Sequence, residues 1–555
     1  MSPAAAPPGA RRGAGFALDA MLGLAIVSLI HTPYVAHLAG AVFANEFFFH
    51  WDHFAMGPAL AFRHGMALAT DVYSQYGAGW PLLLNAISPW FPLSHQTAVG
   101  LAMLYGCVYH VGLYVLLRVA VGSRALAFGG TLGILAVSVF SPLIAAQPGL
   151  STIWQWPSLS VMRAPMDVWF FLCLFLHARN PTFARAVAAG AVAGAGLLLE
   201  TDTGVFLVGT FLVYGVCRFV AAECGGSLPR ATAPALPTVA ASVAALCAVL
   251  FCGLAVSSRG TLVTEPAAFF SGWIGGVANS SARGVGANYF TFFLREHGAA
   301  VAPALALLAI ALFAVCDTMV RLLQGRAAPT TVLSGCLGLY ALGRATLFVW
   351  RTVPIRLSLM AVPIGILVVL ALASLLRKID RRGLAPALSA LAAALGAGLL
   401  LASPTFRDYP NAWRVARVGP PERGLVLFPE KGEIAGLPTS MQPVVRSVRA
   451  VVAEVRALAA PVAVLDPIKT LVYVEADEAP WRGDASLFLN TWTHAERDAL
   501  TESLARNGPP HVIFRSVPSS PAVEDTWRAL GRTLEQRYVR VNSLGVFERW
   551  DRKPD

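Results

Sequence analysis

The sequence predicts an all-α membrane protein with about eleven transmembrane helices, followed by a soluble C-terminal α/β domain. Of its 555 residues, 56% are hydrophobic and 13% are charged, whereas a soluble domain is about 25% charged. Residues 1–403 contain 22 Lys and Arg against 12 Asp and Glu, and residues 404–555 contain 20 against 19. Apolar segments of about 20 residues, the length that a bilayer requires, recur up to residue 403. This composition excludes a large soluble enzyme.

The net charge of +11 does not indicate a nucleic-acid-binding protein. Most of the excess lies in short segments between apolar stretches, where basic residues set the orientation of a membrane protein. No basic stripe with interleaved aromatic residues is present. All eight cysteines precede residue 404, without CxxC or Cys/His spacing. A disulfide framework and a structural zinc site are therefore not expected.

Eleven apolar segments are candidate crossings. With a cytoplasmic tail at 1–16, the basic residues favour the inside loops by fourteen to seven, as the positive-inside rule requires. An odd number of crossings then places the domain 404–555 outside. We therefore expect a multi-pass protein of the bacterial inner membrane with a periplasmic C-terminal domain. The segments lie near 17–39, 97–120, 126–147, 164–178, 186–200, 204–222, 237–257, 299–320, 330–350, 357–376 and 385–403.

The first outside loop, residues 40–96, is long, aromatic and acidic. It carries Glu46, Asp52 and Asp71, and Tyr73 and Tyr76 follow the last of these acids. Aromatic, partly apolar loops favour helices that lie at the membrane interface. Ionisable groups beside a bilayer are costly unless they are paired or hydrated, so this cluster is a candidate functional site.

The loop resembles that of the polytopic C-type (GT-C) glycosyltransferases. The resemblance rests on an acid after the first crossing, an amphipathic segment, and then Asp71-Val72-Tyr73 and Tyr76-Gly77-Ala78-Gly79-Trp80-Pro81. It implies transfer of a sugar from a polyprenyl-phosphate donor to an extracytoplasmic glycan, lipid or protein acceptor. It also implies that Asp52 is the catalytic acid of the loop and Asp71 the second acidic position. Many members have adjacent Asp and Glu here, whereas this chain has Trp-Asp-His, so Glu46 competes with Asp52.

The expected chemistry also requires a cation. Transfer from a lipid phosphate needs a base within hydrogen-bonding distance of the acceptor hydroxyl, and a positive group for the departing phosphate. Arginine binds phosphate through a bidentate fork, and the membrane part contains a single lysine, Lys378. For Arg163 the alternative role is an ion pair with Asp167. For Arg351 and Arg356 the alternative is contact with lipid head groups. The candidates for binding substrate or phosphate are Arg163, Arg344, Arg351, Arg356, Tyr73 and Tyr76.

A metal site is a weaker expectation. His50 and His53 flank Asp52 and are candidate ligands, but the spacing fixes no third ligand. No cofactor is therefore predicted, and a divalent cation stays an alternative. Glu200 precedes Thr201-Asp202-Thr203 between two apolar segments, where it either lines the site or caps the next helix; we favour the cap.

The C-terminal part alternates helical and strand patterns, which predicts a small α/β domain. A helix is expected over 446–458, strands at 461–465, 471–474 and 511–514, helices over 495–505 and 523–534, and a closing pair of strands at 538–541 and 545–549. It contains no glycine-rich nucleotide motif. The alternatives to a glycosyltransferase are a transporter or flippase of a lipid-linked glycan and a polymerase or ligase of polysaccharides.

Overall fold

The computed structural model describes most of the chain. The described ranges are 8–32, 34–45, 47–72, 74, 76–145, 152–223, 235–273, 298–350, 354–379, 383–410, 424–483, 494–515 and 524–554.

Each of the eleven apolar segments contains a helix. The described part includes seven stretches of helix that are long and apolar enough to cross a membrane, so the chain is a membrane protein, while the number of crossings stays a prediction. The helices are α1 (Pro8–Ile30), α2 (His95–Val121), α3 (Arg124–Ser138), α4 (Asp167–Arg179), α5 (Phe183–Leu199), α6 (Thr201–Glu223), α7 (Ala235–Ser257), α8 (Gly298–Leu323), α9 (Pro329–Trp350), α10 (Ala361–Ile379) and α11 (Ala385–Ala402).

The first loop folds into short helices that pack on this bundle. They are Val35–Ala44, Phe48–Trp51, Gly57–Arg63 and Gly79–Ile87, with a π-helical turn at Asp52–Met56. Trp51, Phe54 and Trp80 are almost completely buried, so the aromatic residues of the loop form a core. π-Helical turns are rare and are frequent at functional sites.

Small residues allow close helix contacts inside the bundle. A Cβ at Gly190 of α5 would lie 2.0 Å from the carbonyl oxygen of Ser242, and one at Gly194 would lie 2.6 Å from that of Leu246. Glycines four residues apart share one helix face, and this face contacts α7. Backbones approach this closely only where side chains are small, as is common between membrane helices.

Helix α2 separates two polar clusters. Near its C-terminal end, Arg118 and Arg124 pair with Asp19 of α1 at 3.4 and 2.9 Å. At its first residue, His95 contacts Asp52 of the first loop. The helix has 27 residues, so the two clusters lie at opposite ends of a rod about 40 Å long.

The C-terminal part contains a four-stranded sheet in the order β1-β2-β4-β3. The strands are β1 (Val462–Leu465), β2 (His511–Arg515), β3 (Tyr538–Leu544) and β4 (Phe547–Arg552). Strands β1 and β2 are parallel, and β4 pairs antiparallel with both β2 and β3. The helices are α12 (Gln442–Ala457), α13 (Lys469–Ala476), α14 (His494–Asn507) and α15 (Glu524–Arg537).

The strand expected at 471–474 is wrong, because this segment is part of helix α13. Its β-branched and aromatic residues suggested a strand, but they are buried against the domain in helical form. The Tyr473 hydroxyl donates to the carbonyl of Val462 at 2.8 Å and accepts the N–H of Val464 at 2.9 Å. A side chain of this helix thereby forms hydrogen bonds with backbone groups at the open edge of β1. This tertiary contact outweighs the local preference for a strand.

Candidate active site

Asp52 lies buried at the start of the π-helical turn. Its exposed fraction is 1%, and its Oδ1 is 2.8 Å from Nε2 of His95. Burial raises the pKa of Asp52, while His95, Thr470 and Lys469 oppose this effect. A carboxylate whose charged form is disfavoured by burial binds a proton more strongly than an exposed one. The geometry therefore suits a general base.

Two of the groups around Asp52 come from the C-terminal domain. Thr470 and Lys469 begin helix α13, and both are buried, with exposed fractions of 2% and 6%. Their side chains favour the charged form of Asp52. A lysine far away in sequence therefore reaches the first loop, while the assignment of the departing phosphate to arginines stays a prediction.

The neighbouring histidines contact aromatic rings. The His50 ring lies 4.5 Å from the Trp156 ring, and the His53 ring lies 5.7 Å from that of Tyr76, edge to face. Within the described ranges, no group of three or more His, Cys, Asp or Glu is arranged to hold a metal ion. The metal site suggested for His50, His53 and Asp52 is therefore not formed by the described residues.

Arg163 is held by two carboxylates. Its Nη1 is 3.0 Å from Oε1 of Glu200, and its Nη2 is 2.6 Å from Oδ2 of Asp202. Arg163 and Glu200 are buried, whereas Asp202 is about one-third exposed. The alternative expectation, an ion pair between Arg163 and Asp167, was wrong, because Asp167 pairs with Arg344. The partners come from the junction of α5 and α6, where Glu200 also caps α6 by accepting the N–H of Thr203 at 2.7 Å.

Tyr76 connects Arg163 to the neighbourhood of Asp52. The Arg163 guanidinium lies over the Tyr76 ring, 4.4 Å from its centroid. The same ring packs on Phe54 at 4.8 Å and on His53. The carbonyl of Tyr76 accepts the N–H of Thr201 at 2.7 Å, which fixes the ring beside the cap of α6. Tyr76 therefore contacts both Arg163 and the residue that follows Asp52.

Arg344 belongs to a second buried cluster. Its Nη1 is 3.2 Å from Oδ2 of Asp167, and the hydroxyl of Tyr109 donates to Oδ1 of Asp167 at 2.6 Å. The guanidinium lines a small cavity together with Ser138, Ser160, Ser358 and apolar side chains. Arg344 Nε is buried without a hydrogen-bond partner among the described residues.

Asp52 and Arg344 lie at different levels along α2. His95, which contacts Asp52, and Tyr109, which contacts Asp167, are fourteen residues apart on α2, a rise of about 21 Å. A base and a phosphate ligand that act on one sugar must lie within a few ångströms of its reacting carbon. Arg163 is therefore better placed than Arg344 to act with Asp52.

The remaining predicted residues are spread out or outside the described part. Asp71 is exposed, and its Oδ2 accepts the N–H of Ala67 at 2.8 Å, so this carboxylate closes a turn. Glu46, Tyr73 and Arg351 lie outside the described residues, as does the side chain of Arg356.

Sequence reasoning missed His95, Lys469 and Thr470. The position of His95 at the outer end of the second predicted crossing, on the same side as Asp52, was a usable signal. No local pattern marks Lys469 or Thr470, since their role depends on how the C-terminal domain packs.

Comparisons with known proteins give similarity in structure. No model of a known protein family and no curated protein matches the sequence. The apo form of ArnT from Cupriavidus metallidurans is 14% identical over 98% of this chain and 100% of its own, with a TM-score of 0.44. The same protein bound to undecaprenyl phosphate is 13% identical over 99% and 100%, with a TM-score of 0.40. The Archaeoglobus fulgidus oligosaccharyltransferase tethered to an acceptor peptide is 13% identical over 91% and 70%, with a TM-score of 0.44.

Proposed function

We propose that this protein is a GT-C-type membrane glycosyltransferase. It transfers a sugar from a polyprenyl-phosphate donor to an extracytoplasmic glycan, lipid or protein acceptor. The observation that carries the proposal is a pair of buried groups of opposite charge, Asp52 and Arg163. Tyr76 contacts both Arg163 and His53, the residue that follows Asp52. The motif of the first loop supports the same class.

The roles follow from the bonds that change. Asp52 takes the proton of the acceptor hydroxyl. At the same time, the oxygen of that hydroxyl bonds to the anomeric carbon of the sugar. The bond from that carbon to the phosphate oxygen breaks, and the lipid phosphate leaves with an added negative charge. Arg163 receives this charge. Asp202 is the exposed partner of Arg163, so it is the carboxylate that the phosphate replaces, while Glu200 keeps the guanidinium in place.

Arg344 is our second candidate for the lipid phosphate. Its Nε is buried without a hydrogen-bond partner among the described residues, and the guanidinium lines a cavity with mostly apolar walls. This combination suits a phosphate that carries a prenyl chain. The proposal keeps Glu46 as the alternative base and Asp71 as the second acidic residue. It also keeps Tyr73, Arg351 and Arg356 as candidates for binding substrate or phosphate.

We also propose that the site faces the periplasm. The C-terminal domain contacts the first loop through Lys469 and Thr470, which places both at one end of the bundle. The cluster of Asp19, Arg118 and Arg124 marks the opposite end. Basic residues favour the cytoplasmic side, so the Asp52 end faces outward.

A test of donor cleavage separates the enzyme from the transporter. Proteoliposomes with the full chain would receive polyprenyl-phosphate donors labelled in the sugar, together with an extract of envelope glycans and lipids as acceptors. We expect free polyprenyl phosphate and labelled acceptor to form in equal amounts. Movement of intact donor across the bilayer without cleavage would contradict the proposal and favour a flippase.

The pH dependence of transfer gives an independent prediction. The base must be ionised, and burial raises the pKa of Asp52. The rate should therefore fall as the pH decreases through this raised pKa, above the value of about 4 for an ordinary aspartate. The measurement is kcat/KM against pH in detergent or proteoliposomes. An acidic limb at or below pH 4 would contradict the assignment of Asp52.

A further inference from the structure

Helix α13 covers Asp52. Its first two residues, Lys469 and Thr470, are buried beside the carboxylate and stabilise its charge. Together with His95 they leave Asp52 with an exposed fraction of 1%. The side chains around this carboxylate therefore come from the first loop, from α2 and from the soluble domain.

The sheet of the soluble domain fixes where α13 begins. Asp466 follows β1 at the carboxyl end of the parallel pair, and its Oδ2 is 2.7 Å from Nε of Arg515 at the end of β2. Its Oδ1 accepts the N–H of Ile468 at 2.9 Å. This buried ion pair ties the first turn of α13 to two strands, so Lys469 and Thr470 are presented from a rigid base.

The other end of α13 is held to the first loop by a weaker contact. Asp477 ends the helix in the left-handed conformation, with φ of 59°, and its carboxylate is 3.3 Å from Arg63. Both side chains are exposed, at 69% and 43%. An exposed ion pair contributes only about 0.2–1 kcal/mol, so loss of this pair should weaken the attachment of α13 by a correspondingly small amount.

A base must come within hydrogen-bonding distance of the hydroxyl that it deprotonates, and a buried Asp52 is out of reach of any acceptor from outside. We infer that the Asp52 site is composite: Lys469 and Thr470 of the soluble domain are positioning residues for its carboxylate, and α13 must separate from the first loop to admit the acceptor. The catalytic part of this inference rests on the proposed function. The covering of Asp52 by α13 does not.

Chemical labelling tests the cover without any transfer assay. The full chain in proteoliposomes would be treated with a water-soluble carbodiimide and an amine, and modification of Asp52 followed by mass spectrometry. We expect slow labelling in the wild type. Arg63→Glu, which places two negative charges together, and Asp477→Asn, which keeps a residue that tolerates the left-handed conformation, should label about two to five times faster.

A charge reversal elsewhere in the domain is the matched control. Glu502 and Arg506 form an exposed ion pair in α14, so Glu502→Arg should leave the labelling rate of Asp52 at the wild-type value. Equal labelling rates in the wild type, Arg63→Glu and Asp477→Asn would overturn the cover, whatever the protein catalyses.

Conservative variants test the positioning role. Lys469→Met and Thr470→Val should each lower kcat about tenfold, the effect of losing one contact with a charged group, with the KM for the donor unchanged. Lys469→Arg and Thr470→Ser should restore most of the rate. Wild-type kcat in both Lys469→Met and Thr470→Val would overturn this role. If the wild type shows no transfer but the labelling differs as expected, the proposed function fails while the cover stands.

Discussion

Asp52→Asn is expected to reduce sugar transfer by about 100- to 10,000-fold, the usual contribution of a general base. The amide has the shape of the carboxyl group and keeps an oxygen that can accept a hydrogen bond from His95. It cannot take a proton from the acceptor. Folding should be preserved, because burial disfavours the charge that the substitution removes. The measurement is kcat in the proteoliposome assay, with the amount of inserted protein determined in parallel.

Asp525→Asn is the matched control for this variant. Asp525 is an exposed residue of α15 that pairs with Arg528, and its loss should leave kcat within about twofold. Turnover at the wild-type rate in Asp52→Asn would transfer the role of base to Glu46 or end the assignment to this loop.

Arg163→Met is expected to destabilise the protein by about 3–5 kcal/mol, because it leaves the buried carboxylate of Glu200 without its cation. The exposed fractions are 7% for the Arg163 side chain and 0% for Glu200, so water cannot replace the lost contact. Thermal unfolding of the full chain in detergent measures the effect as a lower Tm. The variant should also lose transfer activity, since the phosphate contact is removed.

A double variant separates the structural effect from the catalytic one. Arg163→Met combined with Glu200→Gln removes the unpaired charge, so it should recover most of the stability and none of the activity. Arg528→Met, which breaks exposed ion pairs with Glu524 and Asp525, should change the stability by less than about 1 kcal/mol. Wild-type Tm in Arg163→Met would show that the Glu200 contact contributes no stability, and recovery of transfer in the double variant would remove Arg163 from the phosphate site.

Local patterns predicted most of the secondary structure. Apolar periodicity placed a helix in each of the eleven segments, and the helix at 495–505 and the strand at 511–514 occur at His494–Asn507 and His511–Arg515. The segment 471–474 failed because its partner is the open edge of β1, a contact that propensity does not contain. Local signals fail where a distant surface competes with the preference of the segment itself.

The sequence singled out Asp52 and Arg163 as candidate site residues but not the residues that pair with them. Both side chains are buried, and Tyr76 contacts Arg163 and His53, the neighbour of Asp52. Helical spacing offered Asp167, four residues away, as the alternative partner of Arg163, whereas its partners are Glu200 and Asp202. Spacing along the chain identifies residues that can meet on one helix. It does not rank them against residues that another helix brings nearer.

The sequence by itself determined that this is a membrane protein with a polar C-terminal part and an acidic, aromatic first loop, because burial in lipid imposes composition and length on every segment. Only the tertiary structure decided which charges meet. His95 reaches Asp52 across 43 residues, and Lys469 and Thr470 reach it from the far end of the chain. Electrostatic energy depends on distances of a few ångströms and on burial, and both are set by packing.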